Sequence, residues 1–135
     1  MTQGETEHQL GIETAPTGRL LFGLLGGAAA WSLHFLASYA ALSIGCVAGW
    51  RGIREILAIG TLVLLAVAVW STVVAWREWR RVSGNQPWDV ALGEPRGWFA
   101  YLMLTGVLMG VVSAFTIGLE GWGTLVLPVC GWDVR

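Results

Sequence analysis

Charge is scarce in this chain: only 13% of its 135 residues are charged, and the formal net charge is −1. Lysine is absent, and all eight basic residues are arginines. A protein that binds nucleic acid shows a basic face, so this composition excludes that class of partner. Histidine and cysteine number only two each, which restricts the haem or metal sites that the chain can build alone.

Catalytic motifs are missing as well. The sequence contains no nucleophile–base pair, no metal-ligand cluster and no phosphate-binding loop, the features by which an unknown active site is recognised. Residues 1–18 carry three glutamates and no basic residue, unlike the cationic start of a signal peptide. We therefore expect a chain that is not an enzyme and that keeps residues 1–18 as a flexible N-terminal segment.

Apolar length, in contrast, is abundant. Three apolar stretches, 20–44, 56–76 and 98–119, take up about half of the chain. Each is long enough to cross a bilayer as a helix, which needs about 20 mostly apolar residues. The 19 glycines fit this interpretation, because glycine is tolerated in membrane helices. The sequence thus predicts an all-α membrane protein in which residues 19–135 form one domain of three transmembrane helices.

The distribution of arginine and tryptophan predicts how the chain crosses the membrane. The connection between the second and third spans contains four arginines, Arg77, Arg80, Arg81 and Arg96. The connection between the first and second spans contains two, Arg51 and Arg54. The positive-inside rule places the richer connection in the cytoplasm, with the N-terminus inside and the C-terminus outside. Tryptophans flank both boundaries as aromatic belts do: Trp76, Trp79, Trp88 and Trp98 inside, and Trp50, Trp122 and Trp132 outside.

The inner connection has its own predicted structure. Its basic start, 77–81, is expected to extend the second helix into the headgroup region, where arginine side chains reach lipid phosphates. Glycine and proline punctuate the rest of the connection. We expect residues 84–87 to end the second helix and residues 94–97 to break the chain just before the third span.

Small residues recur every four positions in two of the spans. In the third span they are Gly106, Gly110, Ala114 and Gly118. In the first span Gly26, Ala30 and Ser38 share such a face with His34, and Gly23 and Gly27 form a second pair beside it. Stripes of small residues let helices approach closely in lipid. We predict that the first and third helices use these stripes against each other or against another subunit.

His34 is the one ionisable residue deep inside a predicted span. Such a residue is by default a candidate functional group, and it would act as a haem or metal ligand, a proton relay or an interhelical hydrogen-bonding group. The only other histidine, His8, lies in the polar N-terminal segment, so a haem held by this chain alone is not expected. We favour a neutral imidazole bonded across a helix interface, with Trp31, Ser38 or Tyr39 as nearby partners. Contact with a cofactor or lipid in a larger complex is the alternative.

The two cysteines follow the first and third spans. Cys46 and Cys130 would both lie on the outer side, where an oxidising compartment favours disulfides. We expect a disulfide that ties the first helix to the C-terminal tail. Sequence alone does not give the Cα separation that such a bond requires. A copper site formed by both thiolates and two unrelated thiols are the alternatives.

Part of the sequence has a familiar pattern. The first span contains Trp31-Ser32-Leu33-His34-Phe35-Leu36-Ala37-Ser38-Tyr39, and Cys46 and the late Pro128-Val129-Cys130 follow it. This pattern resembles a family of small three-helix bacterial membrane proteins that are encoded beside haem–copper cytochrome c oxidase subunits and their copper-delivery assembly protein. The middle of the chain matches only in hydropathy. The resemblance implies a protein of the bacterial inner membrane that associates with a respiratory oxidase, whose haem and copper belong to the partner complex.

Together these observations predict a non-catalytic accessory subunit of a respiratory membrane complex, a haem–copper terminal oxidase. Its contacts would be larger integral membrane subunits and lipid. One alternative is a transient assembly factor for that oxidase. Another is a small oligomeric transporter, although no Asp or Glu lies inside a predicted span, since Glu55 and Glu120 fall at the outer edges.

Overall fold

Three long helices make up the structure, a computed structural model that describes residues 17–84, 95–128 and 130. They are α1 (Thr17–Ala48), α2 (Ile53–Ser83) and α3 (Pro95–Val126), and each packs against the other two. All three are long and apolar enough to cross a membrane. In the described residues, the prediction of an all-helical protein with three helices suited to cross a membrane is therefore confirmed.

The helices extend beyond the predicted spans 20–44, 56–76 and 98–119 at both ends. A helix of 32 residues, the length of α1 and of α3, is about 48 Å long, whereas the hydrocarbon core is about 30 Å thick. Apolar runs mark only the part of a helix that suits lipid, and the backbone stays helical through the polar turns beyond. Thr17 and Gly18 belong to α1, so the predicted flexible segment 1–18 is too long by two residues, and residues 1–16 lie outside the described residues.

A tight turn joins α1 to α2. Gly49 has φ +67°, a left-handed conformation that only glycine adopts without strain. The Trp50 N–H donates to the Gly45 carbonyl at 3.0 Å, which is the longer hydrogen bond of a Schellman cap. The cap ends α1, and Ile53 begins α2 only four residues later, so the two helices are held antiparallel.

The predicted end of the second helix is confirmed. Residues 77–81 continue α2, which ends at Ser83, and Gly84 follows with φ +57°. Residues 85–94 lie outside the described residues. The predicted break at 94–97 is wrong for Pro95 and the two residues after it, which form the first turn of α3. Proline suits that position, because the first turn of a helix does not use its N–H groups.

The buried centre of the bundle contains few large side chains. Ala30, Ala68 and Ile117, one from each helix, form the buried core, and Leu65 and Ala114 pack against it. With so little side-chain volume between them, the backbones approach closely. Dispersion contacts between closely packed helices are a main source of stability in lipid, where no hydrophobic force draws helices together.

The bundle has two chemically different ends. The first, here called the arginine end, holds the start of α1 and the end of α2 with Arg19, Arg77, Arg80 and Arg81. The other, here called the disulfide end, holds the turn after α1 and the residues after α3. Of the predicted aromatic belts, Trp76, Trp79 and Trp98 lie at the arginine end and Trp50 and Trp122 at the disulfide end. Trp88 and Trp132 lie outside the described residues.

Candidate functional site

His34 lies in the interior of the bundle, with 3% of its surface exposed. It is on the α1 face that also buries Gly27 and Ala30, which lie two turns and one turn earlier, respectively. Because these neighbours are small, α2 and α3 come close enough for their side chains to reach the imidazole. The small-residue face of α1 thus positions the only buried histidine among the described residues.

Both ring nitrogens of His34 are bonded to other helices. Nε2 lies 3.0 Å from Oγ1 of Thr61 on α2, and Nδ1 lies 2.9 Å from Oε2 of Glu120 on α3. The three side chains form a polar triad, here the His34 triad, that links all three helices. Interhelical hydrogen bonds of this kind contribute to the association of membrane helices.

The hydrogen bonds of Thr61 indicate where the protons are. Its hydroxyl donates to the Leu57 carbonyl at 2.8 Å, so the oxygen is left to accept from His34 Nε2–H. A neutral imidazole protonated at Nε2 has a bare Nδ1, and an ionised carboxylate has only acceptors. The short contact between Nδ1 and Glu120 therefore requires one proton between them. His34 and Glu120 are either an imidazolium–carboxylate pair or a neutral imidazole with a protonated carboxyl group, and both forms have zero net charge.

This arrangement differs from the sequence prediction in its partners. Trp31, Ser38 and Tyr39 were expected near His34, but Trp31 and Tyr39 are exposed. They lie on the same helix as His34, whereas the imidazole is directed between α2 and α3. The expectation of a bond across a helix interface agrees with the geometry. The expected neutral imidazole fits this geometry if the Glu120 carboxyl group carries the proton, so the neutral form stays a prediction.

Glu120 and Thr61 are the functional residues that sequence reasoning missed. The apolar pattern places Glu120 at the edge of the third span, yet α3 continues six residues beyond it and its carboxylate turns inward with 34% of the side chain exposed. The one signal in the sequence is helical spacing: Glu120 follows Ile117 by three residues, which places both on the same face of the helix. Thr61 gave no signal, because an isolated threonine in an apolar helix usually satisfies itself by bonding its own backbone.

Glycines let the helices approach closely two turns or more from the triad, towards the arginine end. A Cβ placed on Gly27 would lie 2.7 Å from the Gly110 Cα, and one on Gly106 would lie 2.8 Å from the Gly23 carbonyl oxygen. These are contacts of α1 with α3. Gly26 instead faces the Cβ of Ser71 on α2. The first and third helices therefore meet through glycines, but α1 contributes the pair Gly23 and Gly27.

The remaining predicted packing residues occupy different environments. Ala30 is buried in the core, Ala114 packs against that core, and Ser38 is half-buried. Gly110 also faces Thr72, so it contacts both of the other helices. Gly118 has open space where a Cβ would lie, with no atom of the described residues within 4 Å. The α3 stripe thus packs inside the bundle at Gly106 and Gly110 and is open at Gly118.

A disulfide closes the other end of the bundle. Cys46 and Cys130 are bonded, with their Cα atoms 5.7 Å apart, which confirms the predicted pairing of α1 with the C-terminal tail. Since each sulfur is bonded to the other, neither is a thiolate available to copper. The Arg54 guanidinium donates to the Leu127 carbonyl at 3.5 Å. The residues after α3 are thus connected to α1 by the disulfide and to α2 by this hydrogen bond.

The part of the chain that the structure describes contains no group of three His, Cys, Asp or Glu residues that could hold a metal ion. With both nitrogens of His34 engaged, a ligand bond to haem or metal would require that one hydrogen bond be broken. What the site can do as it stands is hold a proton between two helices and fix their register. Comparison with family models, curated proteins and solved structures finds no match to this chain.

Proposed function

We propose that this protein is a non-catalytic accessory subunit of a respiratory membrane complex, a haem–copper terminal oxidase of the bacterial inner membrane. It lies with its N-terminus in the cytoplasm and its C-terminus outside. Haem and copper belong to the larger subunits, and this chain supplies a rigid transmembrane surface to them. The pattern of residues 31–39, Cys46 and Cys130 suggests the partner, by its resemblance to proteins encoded beside such oxidases.

The observation that carries the proposal is an aromatic ladder on α1. Trp31, Phe35 and Tyr39 are spaced four apart and are 39%, 53% and 70% exposed. The rings of Trp31 and Phe35 contact each other, with their centroids 6.3 Å apart. The three aromatic residues of the 31–39 pattern thus face away from the bundle, where a partner helix can reach them.

Trp31 is the most informative residue of this ladder. It lies one turn from Gly27, which touches Gly110 near the middle of α3, so it is about 6 Å from that level along α1. Lipid-facing tryptophan prefers the membrane interface, where its N–H finds water or headgroups. An exposed tryptophan at this depth favours a protein partner that covers the ring and accepts from its N–H.

The two ends of the bundle support the proposed orientation. The arginine end carries Arg77, Arg80 and Arg81 in the last turns of α2, as cytoplasmic ends do under the positive-inside rule. The opposite end carries the disulfide between Cys46 and Cys130, a bond that forms and persists in oxidising compartments such as the bacterial periplasm. These two independent signals favour the same side for the C-terminus.

In this proposal the His34 triad has a structural role. It joins α1, α2 and α3 in one register, and the disulfide holds α1 to the segment after α3. The aromatic ladder is then presented on a helix whose rotation is fixed. Preorganisation of this kind lowers the ordering cost of association.

Co-purification tests the proposal. The tagged chain is expressed at native level, extracted in mild detergent, and separated on native gels with haem staining. We expect it to co-migrate with the mature oxidase. Replacing Trp31, Phe35 and Tyr39 by Leu should release it, while the matched control Phe115→Leu, an equally exposed aromatic on α3, should not. A chain that never co-migrates with an oxidase would refute the subunit assignment.

The same experiment separates the assembly-factor alternative. A transient factor would co-migrate only with precursors, and its deletion would leave an oxidase that lacks copper or haem. A small oligomeric transporter is favoured by one observation, the 2.9 Å contact between the buried His34 and the partly exposed Glu120. Proton flux into liposomes that contain the purified chain, abolished by His34→Ala, would support that alternative.

A further inference from the structure

A groove opens between α1 and α2 towards the arginine end. Its volume is about 290 Å³, and its apolar wall consists of Phe22 from α1 and Trp70, Val73 and Val74 from α2. Trp70 lies close to the middle of α2, seven residues before Arg77. The groove therefore runs about 10 Å along the helix, from the apolar centre of the bundle to its charged end.

The charged end of the groove is formed by two helices. Arg19 of α1 and Arg77 of α2 both line it, together with Glu78. The Glu78 carboxylate is 8% exposed and lies 3.5 Å from the Arg81 guanidinium, which balances its charge. The groove therefore has a net positive charge, which Arg19 and Arg77 provide.

We propose that this groove binds one anionic phospholipid. Its phosphate lies between Arg19 and Arg77, and one acyl chain follows Phe22, Trp70 and Val74 towards the middle of the bundle. The polarity of the wall changes along the groove in the same order as along a lipid, from charged head to apolar tail. Guanidinium groups bind phosphate through paired, charge-assisted hydrogen bonds, and basic pockets between transmembrane helices bind lipid headgroups.

The backbone at the mouth of the groove leaves room for the headgroup. Gly18 precedes Arg19 and also lines the groove, and no atom of the described residues lies within 4 Å of where its Cβ would be. A phosphate bound by Arg19 would therefore lie beside the first turn of α1, whose backbone N–H groups have no partner within the helix. This site depends neither on the identity of the protein partner nor on the orientation of the chain.

The test uses the full chain in nanodiscs of phosphatidylethanolamine and phosphatidylglycerol at a ratio of 3:1. After transfer to detergent, native mass spectrometry measures the lipid that stays bound. We expect one phosphatidylglycerol per chain, enriched over its share of the bilayer. The double variant R19A/R77A should reduce that retention about tenfold. Val74→Trp, which fills the groove and keeps both arginines, should reduce it as well.

Two controls match the loss of charge. R51A/R54A removes two arginines from the disulfide end. Arg80→Ala removes one arginine from the arginine end. Arg80 stacks on Trp76, 5.1 Å from the ring centroid, and does not line the groove. Both should retain phosphatidylglycerol. An intact disulfide shows that each variant is folded. The proposal is overturned if phosphatidylethanolamine is retained equally well, if the controls lose lipid as R19A/R77A does, or if Val74→Trp retains it fully.

Discussion

The imidazole of His34 and the carboxyl group of Glu120, 86 positions apart in the chain, lie 2.9 Å apart, a contact that requires one proton between the two atoms. The Thr61 hydroxyl fixes this state, because its own proton is directed to the Leu57 carbonyl. As a pair of net charge zero, the two groups avoid the cost of an isolated charge in an apolar interior. Removing either partner exposes the other to that cost.

Substitution of His34 should therefore destabilise the bundle more than the loss of a surface group. We expect His34→Ala to lower the free energy of unfolding by about 1–3 kcal/mol, since Glu120 loses its partner and Thr61 keeps only its bond to the Leu57 carbonyl. Equilibrium unfolding in mixed detergent micelles measures the change. Glu55→Gln, an exposed carboxylate in the first turn of α2, is the control and should have almost no effect. Equal losses in the two variants would contradict the triad.

The general architecture could be predicted from the sequence because hydropathy and helical periodicity are local signals. Three apolar runs gave three helices, and two cysteines near the same predicted end gave the disulfide between Cys46 and Cys130. The boundaries were too short, because a helix continues through polar turns wherever its backbone bonds are satisfied. The rotation and tilt of each helix decide which helix a given small residue contacts. The spacing of residues in the sequence does not specify either one.

The His34 triad also could not be predicted in full from the sequence. His34 was recognised because an ionisable residue inside a span is rare, yet its partners come from helices 27 and 86 positions away. Glu120 is only six residues from the end of α3, where a carboxylate normally faces headgroups or water. The rotation of α3 that buries Ile117 and Gly121 also turns Glu120 to the imidazole.

The contact between Gly27 and Gly110 should be intolerant of any side chain. A Cβ at Gly27 would lie 2.7 Å from a backbone atom of α3, so Gly27→Ala must separate the helices, at about 1–3 kcal/mol of stability. Thermal unfolding in detergent measures the loss. Gly118→Ala is the matched control, because open space lies above that position, and its unfolding midpoint should stay unchanged. A fully stable Gly27→Ala protein would argue against the close α1–α3 contact.

The disulfide should stabilise the bundle by restricting the unfolded chain. It closes a loop with a sequence separation of 84, and removal of such a bond is expected to cost about 2–4 kcal/mol. Cys46→Ser and Cys130→Ser should lower the unfolding midpoint equally, and reductant should lower that of the native chain but not of either variant. If reductant destabilised the variants as well, another redox-sensitive group would be responsible.

The proposed orientation predicts which end of α1 is accessible from outside. In a Cys46→Ser/Cys130→Ser background, Val47→Cys should react with a membrane-impermeant maleimide in intact spheroplasts, since Val47 is 89% exposed at the disulfide end. Thr17→Cys, at the arginine end of the same helix, should react only after permeabilisation. The reverse labelling pattern would place the C-terminus in the cytoplasm and remove the case for a periplasmic disulfide.

The shared proton is open to direct observation, because the chain has only two histidines and the variant His8→Ala leaves His34 alone. Solid-state NMR of ¹⁵N-labelled histidine in lipid bilayers reports the protonation of each ring nitrogen. We predict a protonated Nε2, and an Nδ1 signal that shifts in Glu120→Gln while the Nε2–H signal persists. A bare Nε2, or a spectrum that Glu120→Gln leaves unchanged, would contradict the bonded triad at the centre of this account.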